Sequence, residues 1–143
     1  MEMDFDIRTF ALLHLIVQFL IILTVFLGVY LFRKKRIRNH CKIMPVALLV
    51  QVVTVIVVML PSMSRYVEGV IPNLLFNIEL WVHHLIGLVV ILLGGYIYLG
   101  FRKKIKFPVN RTKLMILTFW LWVLTFLIGL HLYLVLWRGA WPL

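Results

Sequence analysis

Four long runs without a charged side chain constrain this chain more than any other feature. They cover Thr9–Phe32, Ile43–Ser64, Leu80–Phe101 and Leu114–Trp137. A helix needs about 20 apolar residues to cross the hydrocarbon of a bilayer, and each run is long enough to do so. We therefore predict an all-α fold, a four-helix antiparallel transmembrane bundle that forms a single integral membrane domain over 1–143. Its predicted spans are about 9–32, 43–62, 78–101 and 114–137.

The charged residues predict how the bundle is oriented. Most of the lysines and arginines fall in two segments, Arg33–Lys42 and Arg102–Lys113, and all the acidic residues fall on the opposite side. Because positively charged loops stay in the cytoplasm, we predict a multi-pass protein of the cell (cytoplasmic) membrane with both termini outside. Anionic headgroups of the lipid bilayer account for the net charge of +10, so no nucleic acid is expected as a partner.

A short repeat suggests that the bundle consists of two similar helical hairpins. The sequence Phe-Arg-Lys-Lys occurs at Phe32–Lys35 and again at Phe101–Lys104. The offset between these two copies also relates His14 to His83, and each histidine lies about five helical turns before its copy of the repeat. Two such hairpins would be related by an approximate two-fold axis along the membrane normal.

Histidines inside the predicted spans are the main candidates for a functional site. In the predicted topology four of them lie near one level in the outer half of the bundle, on three different helices: His14, His83, His84 and His131. Ionisable groups within spans usually face the interior of a bundle or a water-filled site. We therefore predict a cofactor or proton-handling site, although the same histidines could also only hydrogen-bond one another or interfacial water.

Neighbouring residues on the same helical faces extend this candidate site. Those that share a face with one of the histidines and are predicted to contact the cofactor are Gln18, Gly87, Gly94 and Arg138. Glycines allow a flat ligand to approach a helix closely. Arg138 could bind an anionic group of such a ligand, for example a propionate of haem. Glu79, one turn before His83, could accept a hydrogen bond from that imidazole.

The ligand predicted for the site is haem b, with copper as the alternative. Haem iron could be held by His14 with His83, the pair that the repeat relates, or by His84 with His131. Clustered imidazoles could instead bind copper, and a quinone is a third possibility. A second group of potential soft-metal ligands, His40, Cys41 and Met44, lies in and just after the first basic segment, where the residues alone favour an ordinary interfacial turn.

Part of the chain resembles a known family. The stretches "GVYLFRKKRIRNHCKIM", "HHLIGLVVILLGGYIYLG" and "WLWVLTFLIGLHLYLVLW" are similar to small four-span membrane proteins, some of which assist the assembly of haem–copper terminal oxidases. The most specific match is Asn-His-x-x-x-Met, here Asn39, His40 and Met44, followed by the histidine of the third span and then by Gly129 and Tyr133 in the fourth span. Members often have His-Arg in the second basic loop, where this chain has Asn110-Arg111.

The resemblance implies a role in biogenesis of the respiratory chain, with oxidase subunits as possible partners, and makes His40 a stronger candidate metal ligand. We thus predict a haem- or copper-binding membrane factor that supports oxidase assembly. The alternatives are a b-type cytochrome subunit that passes electrons between quinol and a periplasmic acceptor, and a structural subunit without a cofactor. We predict no catalytic residue, because no grouping of nucleophile, base and acid is visible.

Overall fold

The computed structural model describes residues 2–61, 74–103, 106 and 110–138. The described part forms four long helices: α1 (Glu2–Arg33), α2 (Ile37–Thr54), α3 (Leu74–Phe101) and α4 (Arg111–Arg138). Helix α2 continues directly into a π-helical segment, Val55–Met59. Each of the four is long and apolar enough to cross a membrane, which fits a multi-pass membrane protein. The predicted all-α four-helix fold is thereby confirmed.

All four helices extend beyond the spans predicted from the uncharged runs at one end or both. Helix α2 begins at Ile37, inside the first basic segment, and α3 begins at Leu74. An uncharged run marks only the part of a helix that lies in hydrocarbon, whereas backbone hydrogen bonding continues into the headgroup region. Basic side chains at such helix ends can extend toward the membrane surface.

Helices α1 and α3 end in the same backbone conformation. At the end of α1, the Arg36 amide donates to the Leu31 carbonyl (2.9 Å) and the Lys35 amide donates to the Phe32 carbonyl (3.0 Å). This is a Schellman motif, in which the residue after the cap adopts a left-handed conformation. Lys35 has that conformation, with φ 58°, and Lys103 at the end of α3 has the same φ. The two basic segments therefore start with matching turns.

The helices pack in a ring in which α1 and α3 lie diagonally. Helix α1 packs against α2 and α4, and α3 packs against the same two helices. The core between them is small and apolar, and it consists of Ile21, Ile22, Val25, Ala47, Val90 and Trp122. Many large apolar side chains point outward, as expected of a surface that faces lipid.

Small residues set the spacing of the helices. Met44 of α2 packs against Gly28 of α1, and Leu48 packs against Gly94 of α3. A Cβ atom at Gly94 would lie only 2.8 Å from a methyl carbon of Leu48. Close helix approach over glycine is the usual packing mode in membranes, where no hydrophobic force drives helices together.

A buried amide side chain lies within this apolar bundle. Gln51 of α2 is only 5% exposed, and its Oε1 atom has no hydrogen-bond partner within the described parts of the chain. One turn further along α2, Thr54 donates to the Gln51 carbonyl (2.8 Å) and accepts from Nε2 of Gln18 (3.3 Å). Gln18 thus connects α1 to α2, while Gln51 retains an unsatisfied acceptor.

We expect Gln51→Leu to stabilise the bundle, because it removes this acceptor while it keeps the volume of the side chain. The free energy of unfolding should rise by about 1 kcal/mol, measured by far-UV circular dichroism during denaturation in mixed detergent micelles. The control is Gln18→Leu, which removes a formed hydrogen bond and should not stabilise. A lower stability of Gln51→Leu would contradict the prediction and would indicate that the Gln51 amide binds a further group.

Candidate functional site

Two aromatic contacts define how α1 and α4 are aligned. The ring centroids of Phe19 and Phe126 are 6.3 Å apart, and those of Phe26 and Phe119 are 5.2 Å apart. His14 lies five positions before Phe19 on α1, and His131 lies five positions after Phe126 on α4. Because the two helices are antiparallel, both shifts lead toward the same end of the bundle. These two histidines therefore lie at one level, near one end of the bundle, which we call the histidine end.

His83 lies at the same end, in the interface between α3 and α4. Its ring packs on Gly129, where a Cβ atom would be only 2.8 Å from Cε1 of His83. The imidazole interacts with the backbone of Thr125, and electrostatically with His84 and His14. His83 and His14 project from helices that lie diagonally in the bundle.

The Nδ1 atoms of His14 and His83 have the same unusual surroundings. Both are buried, and neither meets a hydrogen-bond partner among the residues that the structure describes. An unsatisfied buried polar atom costs about 1–3 kcal/mol, and the hydrocarbon of a membrane offers no water to replace the missing partner. Two such nitrogens on separate helices are therefore the strongest indication of a ligand at the histidine end.

His84 differs from its neighbour because its Nδ1 has a local partner. That atom donates to the Leu80 carbonyl one turn earlier, at 2.7 Å. The His83 and His84 rings meet edge to face, with their centroids 5.4 Å apart. Since the Nδ1 proton of His84 is used in this bond, only its Nε2 atom could bind a metal.

His131 forms a hydrogen bond that was not predicted. Its Nδ1 donates to Oε1 of Glu79 at 2.5 Å, which ties α4 to α3 at the histidine end. The suggestion that Glu79 accepts from His83 was therefore wrong: the helix rotation brings Glu79 to His131 instead. His131 is also 46% exposed in its side chain, and the residues on its face, Trp120, Leu124 and Leu127, are exposed as well. This face of α4 lies on the surface of the bundle.

The other predicted contact residues are distributed differently. Gln18 is bonded to Thr54 of α2. Gly87 lies under the methyl group of Thr125, and a Cβ added at this glycine would be 3.5 Å from that methyl carbon. Gly94 lies under Leu48. The glycine stripe of α3 is thus covered by side chains of α4 and α2. The side chain of Arg138 falls outside the described residues.

The histidines do not gather into a multidentate cluster. Within the described ranges, no group of three or more His, Cys, Asp or Glu side chains is placed to hold a metal ion. The arrangement is instead a pair, His14 and His83, flanked by the locally bonded His84 and the Glu79-bound His131. The assignment of these residues as cofactor ligands stays a prediction.

A cavity lies at the opposite end, which we call the basic end because it carries Arg33–Lys42 and Arg102. Its volume is about 550 Å³, and all four helices contribute to its walls. The lining residues are Val25, Val29, His40, Cys41, Lys42, Met44, Pro45, Leu48, Gly94, Ile97, Tyr98, Phe101, Arg102, Met115, Thr118, Phe119 and Trp122. The sequence contains no direct signal for this cavity, because its walls are mainly apolar residues typical of any span.

The predicted soft-metal residues stand at the mouth of this cavity. Nδ1 of His40 donates to the Gly28 carbonyl at 2.8 Å, and its ring lies 5.4 Å from that of Phe32. Met44 is packed on Gly28, whereas Cys41 is exposed. His40 and Met44 therefore hold α2 against α1, a structural role that the resemblance alone did not suggest.

Comparison with known proteins adds no functional assignment: no family model, curated protein or solved structure matches this chain.

We expect the Glu79–His131 bond to contribute about 1 kcal/mol to stability, because both partners are partly exposed and the short bond joins two helices. A double-mutant cycle with Glu79→Gln and His131→Gln, followed by denaturation in mixed micelles, measures this coupling. His84→Gln combined with Glu79→Gln provides the control pair and should give no coupling. Additive effects of the first pair would show that the bond does not form.

Proposed function

We propose that this protein is a membrane factor that binds one metal ion, copper, between His14 and His83 and thereby supports assembly of a haem–copper oxidase. One observation carries the proposal. The two histidines lie on diagonal helices, and each has a buried Nδ1 atom without a partner in the described structure. A metal ion shared by both rings would satisfy nitrogens that the protein itself leaves unsatisfied.

The donor set fits copper. Imidazole is a good ligand for copper ions, and reduced copper accepts two donors in a linear arrangement. A pair of histidines is therefore sufficient, and such a site needs no three-residue ligand group of the kind that the described ranges lack. Copper held in this way would be available for transfer to an oxidase subunit.

Packing around the pair favours a bare ion over haem. A porphyrin needs a flat gap between helices, but the His83 ring is already seated on Gly129. The glycines that were expected to face a porphyrin, Gly87 and Gly94, lie under Thr125 and Leu48. Haem would require these contacts to open, whereas a single ion occupies far less space.

The link to oxidase assembly depends on the family resemblance, carried mainly by Asn39, His40 and Met44. This motif lies at the basic end, away from the histidine pair. His40 bonds to α1 and Met44 packs there too. The motif would then stabilise the hairpin of a factor whose metal lies at the other end.

We expect the purified, reduced protein to bind one equivalent of Cu(I), measured by competition with a chromophoric chelator and by elemental analysis. His14→Ala and His83→Ala should each weaken binding by about tenfold or more, since each removes one of two ligands. His84→Ala and His131→Ala serve as matched controls from the same level of the bundle and should bind copper normally.

Each other outcome would count against the copper pair. Equal losses in all four variants would show that binding is not specific to His14 and His83. A Soret band in protein from a haem-replete host, lost in the same two variants, would identify haem instead. A colourless protein that binds no copper would support a structural subunit without a cofactor.

We also expect Gly129→Ala to weaken copper binding without unfolding the bundle. The added methyl would collide with Cε1 of His83 and push that ring out of its position. Gly95→Ala is the control, because a Cβ there meets no described atom within 4 Å. The measurement is the same chelator competition, with helix content monitored by circular dichroism. Unchanged affinity in Gly129→Ala would mean that the ring does not bind the metal from this interface.

A further inference from the structure

We propose that the cavity at the basic end binds an amphiphile with one long apolar chain and an anionic head group. This site is separate from the copper pair and does not depend on it. The proposal is supported by an apolar pocket in the bundle that has two cationic side chains among its lining residues.

The size and lining of the cavity suit an apolar body. Its volume of about 550 Å³ lies within the range of small-molecule sites in proteins, about 300–1,000 Å³. Val25, Leu48, Phe119 and Trp122, contributed by α1, α2 and α4, give it apolar walls. A ligand chain could enter such a pocket from the bilayer without crossing water.

Two polar groups in the walls are already used by the protein. Oγ1 of Thr118 donates to the Leu114 carbonyl (2.8 Å), and Nδ1 of His40 donates to the Gly28 carbonyl (2.8 Å). A ligand with a neutral polar ring, such as a quinone, would find few partners here for its carbonyl groups. The lining therefore favours a hydrocarbon chain inside the pocket. The head group would be bound by the charged residues of the cavity.

The charges at the cavity supply that recognition. Lys42 in α2 and Arg102 at the end of α3 both line the cavity, and none of the described residues that line it is acidic. Arg102 is held in place, since its Nε donates to the hydroxyl of Tyr98 (3.2 Å) and its guanidinium lies 5.5 Å from the centre of the same ring. A carboxylate or phosphate between these two cations would make charge-assisted hydrogen bonds.

Trp122 offers a direct probe of occupancy, because it is 5% exposed and forms part of the cavity wall. We would replace the other four tryptophans, Trp81, Trp120, Trp137 and Trp141, by phenylalanine. The protein would be placed in nanodiscs of neutral phosphatidylcholine and titrated with dibrominated stearic acid, whose bromine atoms quench tryptophan on contact. A second titration would use a brominated monoacyl phosphate, to learn which head group is preferred.

We expect saturable quenching of Trp122 by at least one of the two anionic probes. The methyl ester of the brominated acid should bind about tenfold more weakly, because it cannot pair with the cations. The double variant Lys42→Gln with Arg102→Gln should weaken the binding of the anionic probe to a similar extent. The matched control, Lys35→Gln with Arg38→Gln, removes two exposed basic residues that do not line the cavity and should have no effect.

A variant that fills the pocket tests the site independently of charge. Thr118→Phe should abolish quenching, while Thr118→Val, which keeps the volume, should not; copper binding at the far end should survive in both. The proposal is overturned if the ester and the acid quench equally, if the charge variants leave affinity unchanged, or if quenching does not saturate. It is also overturned if hemin gives a Soret shift that is lost in His40→Ala while neither brominated probe quenches.

Discussion

The hydrocarbon of a membrane offers no hydrogen-bond partner, and the other features of this structure depend on that constraint. Several polar side chains inside the bundle obey it by bonding locally. Thr24, Thr118 and Thr125 each donate to a carbonyl one helical turn earlier, all at 2.8 Å. His14 and His83 depart from it, since each retains a buried nitrogen without a partner among the described residues. Such departures separate side chains that only fit the membrane from side chains placed for another purpose.

The sequence was sufficient to predict the helices but not how each is rotated. Uncharged runs and basic segments indicated four spans, and the antiparallel order placed the histidines near one level. A helical wheel, however, relates residues only to their own helix axis. In α4 apolar residues surround the helix on every side, so nothing in the pattern showed that His131 lies on the surface beside Glu79. The rotation is set by contacts over glycine, such as His83 on Gly129, that depend on the neighbouring helix.

The two candidate sites are separated by the apolar core. Ile21, Ile22 and Val90 lie between the histidine pair and the cavity at the basic end, and they belong to one packed cluster. The cavity could not be predicted from the sequence, because its walls use the same aliphatic and aromatic residues as the core. Only the packing of the side chains distinguishes a filled space from an empty one.

The two hairpins of the predicted repeat agree at some positions and differ at others. Both copies keep a histidine, His14 and His83, whereas the left-handed lysines that follow the first helix of each copy, Lys35 and Lys103, are one position out of register with the repeat. At the basic end they differ: Met44 packs on Gly28 in the first hairpin, whereas the equivalent positions of the second hairpin are Lys113 and Ile97. A lysine and an isoleucine cannot repeat the packing of methionine on glycine, and Ile97 lines the cavity instead. In the predicted repeat the two copies therefore agree at the histidines and differ at the basic end, where the cavity lies.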